Sequence, residues 1–240
     1  MKKKIYVFLM LLSFQNIQAK PQTFEINQEH SKLGFSVQYM MMTDVEGVFK
    51  KFQGYFDVEN NTLSNIQILI STRSVDSLDS KRDFHLRNHE FLYASKFPTI
   101  TFTSKESVTL VEQKVIKVPG TLTLRGITKP VTLEVIFKGK KFDPWAKENL
   151  FFEGKTKINR KDFDIVWNKE MDNGGYLVGD EVVIDFKLQA QHLGDKTPFS
   201  THMVPTTKGI VERDQLKKGK IKKLSTATDK PNTSGNEKKD

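Results

Sequence analysis

Residues Ser74 to Thr103 read SVDSLDSKRDFHLRNHEFLYASKFPTITFT, a capped polar helix that runs into a strand. Ser80 is placed to cap the first turn of SKRDFHLRNHEFL, Asp83 three residues on favours that end, and Pro98 forbids helix continuation before a β-branched run begins. Thr99 to Thr103 then alternates, with Ile100 and Phe102 on one face and three threonine hydroxyls on the other. Outward from this block the same period of two recurs. Val131, Leu133, Val135 and Phe137 oppose Thr132 and Glu134, and Val182, Ile184, Phe186 and Leu188 oppose Asp185 and Lys187. Turn residues punctuate the pattern about every ten positions, the spacing of an all-β sandwich or barrel. The long predicted strands are Lys32–Met40, Gly47–Val58, Asn65–Thr72, Thr99–Val108, Lys114–Leu124, Thr128–Phe137, Leu150–Asn159 and Gly179–Gln191. Asn60-Asn61 and Asn173-Gly174-Gly175 suit tight reversals. The expectation is an antiparallel all-β fold of about eight to ten strands with one or two short helices.

Met1 to Ala19 opens with Lys2, Lys3 and Lys4, continues through an apolar run from Ile5 to Leu12 and ends in Ile17-Gln18-Ala19, the pattern of a secretory signal peptide cleaved after Ala19. The run is too short to span a bilayer. That leader predicts a periplasmic or secreted protein, and with no cysteine in the chain neither a lipidated terminus nor a disulfide scaffold is available. Residues 20–192 are read as one β-domain, whose stability rests on a packed core. Residues 193–240 are read as a basic, disordered extension, with a short amphipathic helix or a strand both open for Val204 to Leu224. The formal net charge is +9, of which the leader holds three and Lys208–Asp240 five, so Lys20 to Thr207 is left with +1. A nearly neutral domain without a basic stripe argues against a nucleic-acid groove.

The same residues carry a family resemblance. The run R-D-x-H-L-R at Arg82–Arg87 followed by F-P-T-I-T-F at Phe97–Phe102 resembles the YceI-like polyisoprenoid-binding family of bacterial periplasmic proteins. His30-Ser31 with L-G-F-S-V at Leu33–Val37, G-x-F-x-K-F-x-G at Gly47–Gly54, G-T-L-T-L-R-G-I-T-K-P-V from Gly120, I-N-R-K-D-F and L-V-G-D-E-V add to it, in order, from about Thr23 to Ala190. The resemblance implies a lipocalin-like antiparallel barrel of about eight strands that holds a long apolar chain, with no established chemistry common to the family.

An eight-stranded barrel either fills itself with side chains or leaves a channel for one slender ligand, and the residues alone leave both open. The resemblance favours the channel. Phe35, Phe52, Phe102, Phe137, Phe152 and Phe186 would then line it with rigid apolar walls, together with Val37. Met40, Met41 and Met42 follow the first long strand, and Met40 is placed at the mouth as adaptable apolar surface, or simply at a strand end with one buried thioether. Trp167 is read as a core plug or as a ligand contact. Arg82, His85 and Arg87 are candidates for binding a pyrophosphate or carboxylate head group at the mouth, or for pairing with Asp76, Asp79 or Asp83 instead.

His85 and His89 lie four apart, yet two imidazoles make half a metal site, so no metal is expected. Catalytic motifs are missing: no G-x-S-x-G elbow, P-loop, G-x-G-x-x-G, H-E-x-x-H or cysteine nucleophile occurs, and no pair of carboxylates stands out. The sequence therefore predicts a non-enzymatic binder that sequesters or transports a polyisoprenoid, isoprenoid quinone or fatty acid or amide without a cofactor. From a different class comes a filled-core interaction module whose basic tail docks on anionic envelope surfaces. A homodimer paired through exposed edges or loops is compatible with either.

Overall fold

The computed structural model describes residues 21–172 and 174–194, with the backbone of 203–206 and 209–212. The leader, Met1 to Ala19, and most of the basic extension lie outside the described residues. The described residues of the domain form twelve strands and one α-helix, more strands than predicted because long runs are split into shorter pieces. In chain order they are β1 (Gln22–Ile26), β2 (Lys32–Tyr39), β3 (Thr43–Phe49), β4 (Phe52–Glu59), β5 (Thr62–Ser71), β6 (Val75–Asp76), α1 (Ser80–Arg87), β7 (Thr99–Ser104), β8 (Val108–Thr109), β9 (Val115–Leu124), β10 (Ile127–Phe142), β11 (Glu148–Asn159) and β12 (Val178–His192). A separate hairpin of β13 (Met203–Thr206) and β14 (Gly209–Glu212) follows, where the sequence had left helix and strand open.

The ring runs β1, β4, β5, β7, β9, β10, β11, β12 and closes because β12 also pairs β1, every pairing being antiparallel. This is the expected eight-strand barrel. Its closing strand, β12, is shared. Residues 190–192 bond to β1, whereas residues 178–187 bond to β2, so β1 and β2 together act as one bent strand. Strands β3 and β4 repeat the device: β3 pairs β2, and β4 pairs β1.

That second bend corrects the single strand expected over Gly47–Val58. Alternation continues through the bend, but Lys50 and Lys51 leave the ladder. Lys50 N donates to Ser74 O at 3.0 Å, Lys51 N to Ser74 Oγ at 3.0 Å, and Lys51 O accepts from Ser71 N at 2.9 Å. The helix is also corrected. Asp79, not Ser80, is the N-cap, its carboxylate accepting from Lys81 N and Arg82 N at 2.9 and 3.1 Å. The helix stops at Arg87, and the remaining HEFLYASKF forms turns held by Leu92 N to Leu86 O and Ala94 N to Arg87 O.

Two-residue reversals at Asn60-Asn61 and Arg125-Gly126 have positive φ at both positions, which matches the right-handed twist of the strands they join. Inward residues of the eight ring positions meet in one core that includes Phe24, Phe56, Phe102, Val118, Phe152 and Phe186.

Candidate functional site

The two ends of the barrel are built differently. At the end where β1, the C-terminal part of β4 and the start of β11 meet, four phenylalanines stack in series. Phe24 and Phe56 lie 5.9 Å apart, Phe56 and Phe152 5.4 Å, Phe152 and Phe137 5.3 Å. Phe24, Phe56 and Phe152 are buried, and Ala190 beside them is wholly so. These rings seal the floor.

Above the floor is a cavity of about 170 Å³, more than tenfold what one water needs. Its wall is apolar: Leu33, Phe35 and Val37 from β2, Phe52 from β4, Ile68 and Ile70 from β5, Ile100 and Phe102 from β7, Leu122 and Leu124 from β9, Val131 and Leu133 from β10, and Val182, Ile184, Phe186 and Leu188 from β12. Thr156 and Arg160 also line it, but neither offers a free polar atom. Thr156 Oγ1 donates to Thr132 O at 2.9 Å. Water in such a bore would find almost nothing to bond, so hydrocarbon is the favoured content.

Glycines keep the bore open despite its phenylalanines. A Cβ on Gly47 would stand 2.5 Å from Cζ of Phe35 on the neighbouring strand, and one on Gly120 2.5 Å from Cζ of Phe102. Gly154 is covered in the same way by Phe186, its register partner. Each ring reaches over the bare backbone of the neighbouring strand.

The opposite end is roofed by the last turn of α1 and the segment after it. Leu86, Phe91 and Leu92 face the cavity and remain half-exposed, as does Val178 on the rim. Arg125 ties this roof down: its guanidinium donates to the carbonyls of His89 and Phe91 and pairs with Asp164 at 2.9 Å. Arg160, 3% exposed, organises the rim. All five of its N–H groups are used, on the carbonyls of Gly179, Ile165, Trp167 and Val178 and on Asp180 Oδ1. Burial pushes its pKa below the ordinary value, while Asp180 opposes that shift. The guanidinium stays charged.

Phe35, Val37, Phe52, Phe102 and Phe186 are thus brought together on the cavity wall. Phe137 and Phe152 stand in the floor. Trp167 reaches the bore only through Phe91, with ring centroids 5.3 Å apart, and packs 5.0 Å from His85. Met40 sits 46% exposed in the turn after β2, at the roofed end. Arg82, His85 and Arg87 are engaged within the protein: Arg82 on Ser77 Oγ and Ser77 O, Arg87 on Val75 O, and His85 Nε2 on Glu90 at 2.7 Å. Asp83 accepts from Ser77 N and Oγ, both at 2.7 Å. His89 packs edge-on against Tyr93, ring centroids 6.3 Å apart. Among the described residues, no group of three or more His, Asp or Glu is placed to hold a metal.

Sequence reasoning missed Phe24 and Phe56 of the floor, the roof residues Leu86, Phe91 and Leu92, and both organising arginines. The alternation in QTFEI and FQGYF carried a signal for the floor, and the apolar pair in HEFLY, inside an otherwise polar run, carried one for the roof.

A closed antiparallel barrel with a dry bore, a sealed floor and a roofed mouth defines a binding domain of the lipocalin-like class. Residues 24–190 match the model of the YceI-like domain. Over 170 residues the chain is 39% identical to Protein YceI of Salmonella newport, covering 69% of this chain and 88% of that one, and the same figures hold for Protein YceI of Salmonella arizonae. Among solved structures, the YceI protein of Campylobacter jejuni superposes with a TM-score of 0.56 at 25% identity, covering 65% of this chain and 89% of that one. A polyisoprenoid binding domain from Saccharophagus degradans, implicated in plant cell wall breakdown, has the same fold at TM-score 0.53 and 15% identity, with 71% and 99% covered. The chain belongs to the YceI-like family.

Proposed function

We propose that this barrel binds one long-chain apolar lipid, a polyisoprenoid, isoprenoid quinone or fatty acid or amide, tail first, and carries it outside the cytoplasm. The observation that carries the reading is the dry cavity between the phenylalanine floor and the Leu86–Leu92 roof. At about 0.8 kcal/mol per buried methylene, a ten-carbon stretch gains about 8 kcal/mol before ordering costs, enough for stable binding without a charged anchor. The Saccharophagus domain of the same fold is described as polyisoprenoid binding, which agrees with a chain of this shape. A periplasmic or secreted location rests on the leader sequence, and N-terminal sequencing of exported protein should begin at Lys20. Binding, and not turnover, is the activity assigned.

Solvent extraction of the purified protein followed by mass spectrometry should return one lipid per chain, and a fluorescent polyprenyl probe should compete with it. Stoichiometric lipid absent from the extract, combined with no probe binding by the stripped protein, overturns the reading. The open bore speaks against the filled-core alternative, and most of its basic tail lies outside the described residues.

A further inference from the structure

Among the described residues, the exposed large apolar side chains stand at the two ends of the barrel, most of them at the roofed end. Met40, Met41 and Met42 form the β2–β3 turn, Met42 being 89% exposed. Leu78, 97% exposed, forms the tip of the turn between β6 and α1, and Phe84, 65% exposed, projects from the outer side of α1. Val166, 61% exposed, lies in the loop after β11.

Three of these residues hold left-handed backbone, with φ of 52° at Met40, 60° at Met41 and 63° at Leu78, a region that suits Gly or Asn far better. Leu78 is nonetheless fixed. Asp76 Oδ1 accepts from its N–H at 2.8 Å on one side, and Asp79 caps α1 on the other. Rigid turns therefore hold apolar tips outward around the mouth of the cavity.

We propose that this end of the molecule docks on a lipid bilayer, the Met40–Met42, Leu78 and Phe84 tips entering it so that a lipid passes between bilayer and bore without crossing water. The inference rests on the carrier reading, because the surface surrounds the cavity's mouth. Tips carried on separate turns, including three consecutive flexible methionines, suit a fluid hydrocarbon layer. Charges nearby are mixed: Lys50 pairs with Asp76 two residues before Leu78, Lys81 follows in α1, and Asp44 follows the methionines in β3. Penetration and not ionic attraction then supplies the binding, and salt should not abolish it.

Flotation of the full chain with phosphatidylcholine vesicles in about 0.5 M NaCl tests this while screening the lysine-rich tail. Wild type should float, and a Met42→Ser, Leu78→Asn, Phe84→Ser variant should lose about tenfold of its bound fraction. The variant should still bind a polyprenyl probe in solution, since none of the three residues lines the cavity. Orientation is read from the two tryptophans: Trp167 lies at the docking end and Trp145, 79% exposed, in the turn at the sealed end. Brominated lipid should quench the Trp145→Phe protein, which retains Trp167, and spare the Trp167→Phe protein. Equal flotation of wild type and triple variant, or quenching of Trp145 alone, overturns the docking surface. Failure of wild type to bind the probe in solution overturns the carrier reading instead.

Discussion

At the scale of single residues, polar groups shape the mouth while glycines shape the bore. Replacing Arg160 with Met strands the carbonyls of Gly179, Ile165, Trp167 and Val178 together, and should cost about 3 kcal/mol or more in urea unfolding. Lysine has only three donors, so Arg160→Lys should recover part of that loss and no more. Gly47→Ala presses on the Phe35 ring, which has open space to move into. It should weaken probe binding about tenfold or more while costing about 1 kcal/mol in stability, and titration beside denaturation separates the two. Phe152→Ala should cost about 3–5 kcal/mol and deepen the bore, so extracted lipids should shift to longer chains. The wall phenylalanines were legible because each follows the alternation. Their glycine partners were present inside strands, but single-strand periodicity says nothing about which neighbour covers a bare backbone. Arg160 was unreadable for a related reason: its acceptors are carbonyls, which every residue has.

Among the elements, α1 is the most exposed to solution conditions. Backbone N–H groups of Arg82 and Lys81 hold the Asp79 carboxyl below the usual carboxylate range, and at Asp76 a hydrogen bond from Lys50, then the Leu78 N–H, does the same. A depressed folded pKa means that the stabilisation is present above the ordinary carboxylate value, about 3.9, and is lost as pH falls through the lower folded value. Amide exchange at Ser80–Arg87 should therefore rise below about pH 4, before the barrel itself loosens. Asp79→Asn should preserve the cap and flatten that response. The cap position was misassigned by one residue because Asp79 and Ser80 are both good caps in sequence, and only the extended backbone at Asp79 separates them. Likewise the bend at Lys50-Lys51 broke a run whose alternation looked continuous, since the acceptor that bends it, Ser74, lies over twenty residues away.

For the molecule as a whole, fold class was the most readable level, because one dry face per strand admits few closed arrangements. The distinction between hollow and filled was not, since the same alternation serves both. A bound chain that fills the bore stabilises only the folded state, so lipid at a hundred times its Kd should add about 2.7 kcal/mol and raise Tm by about 5–10 °C over stripped protein in calorimetry. Strand β12, which bonds to β1 near residue 24 and to β2 beside it, has a temporal consequence. The first and last segments of the domain are stitched to each other, down to Leu193 N on Thr23 O. A polypeptide without Val178–His192 is an open gutter, since β11 then has no strand to join it to β1 and β2. On the proposed lipid-binding role, retention of a bound chain then begins only once β12 has closed the ring.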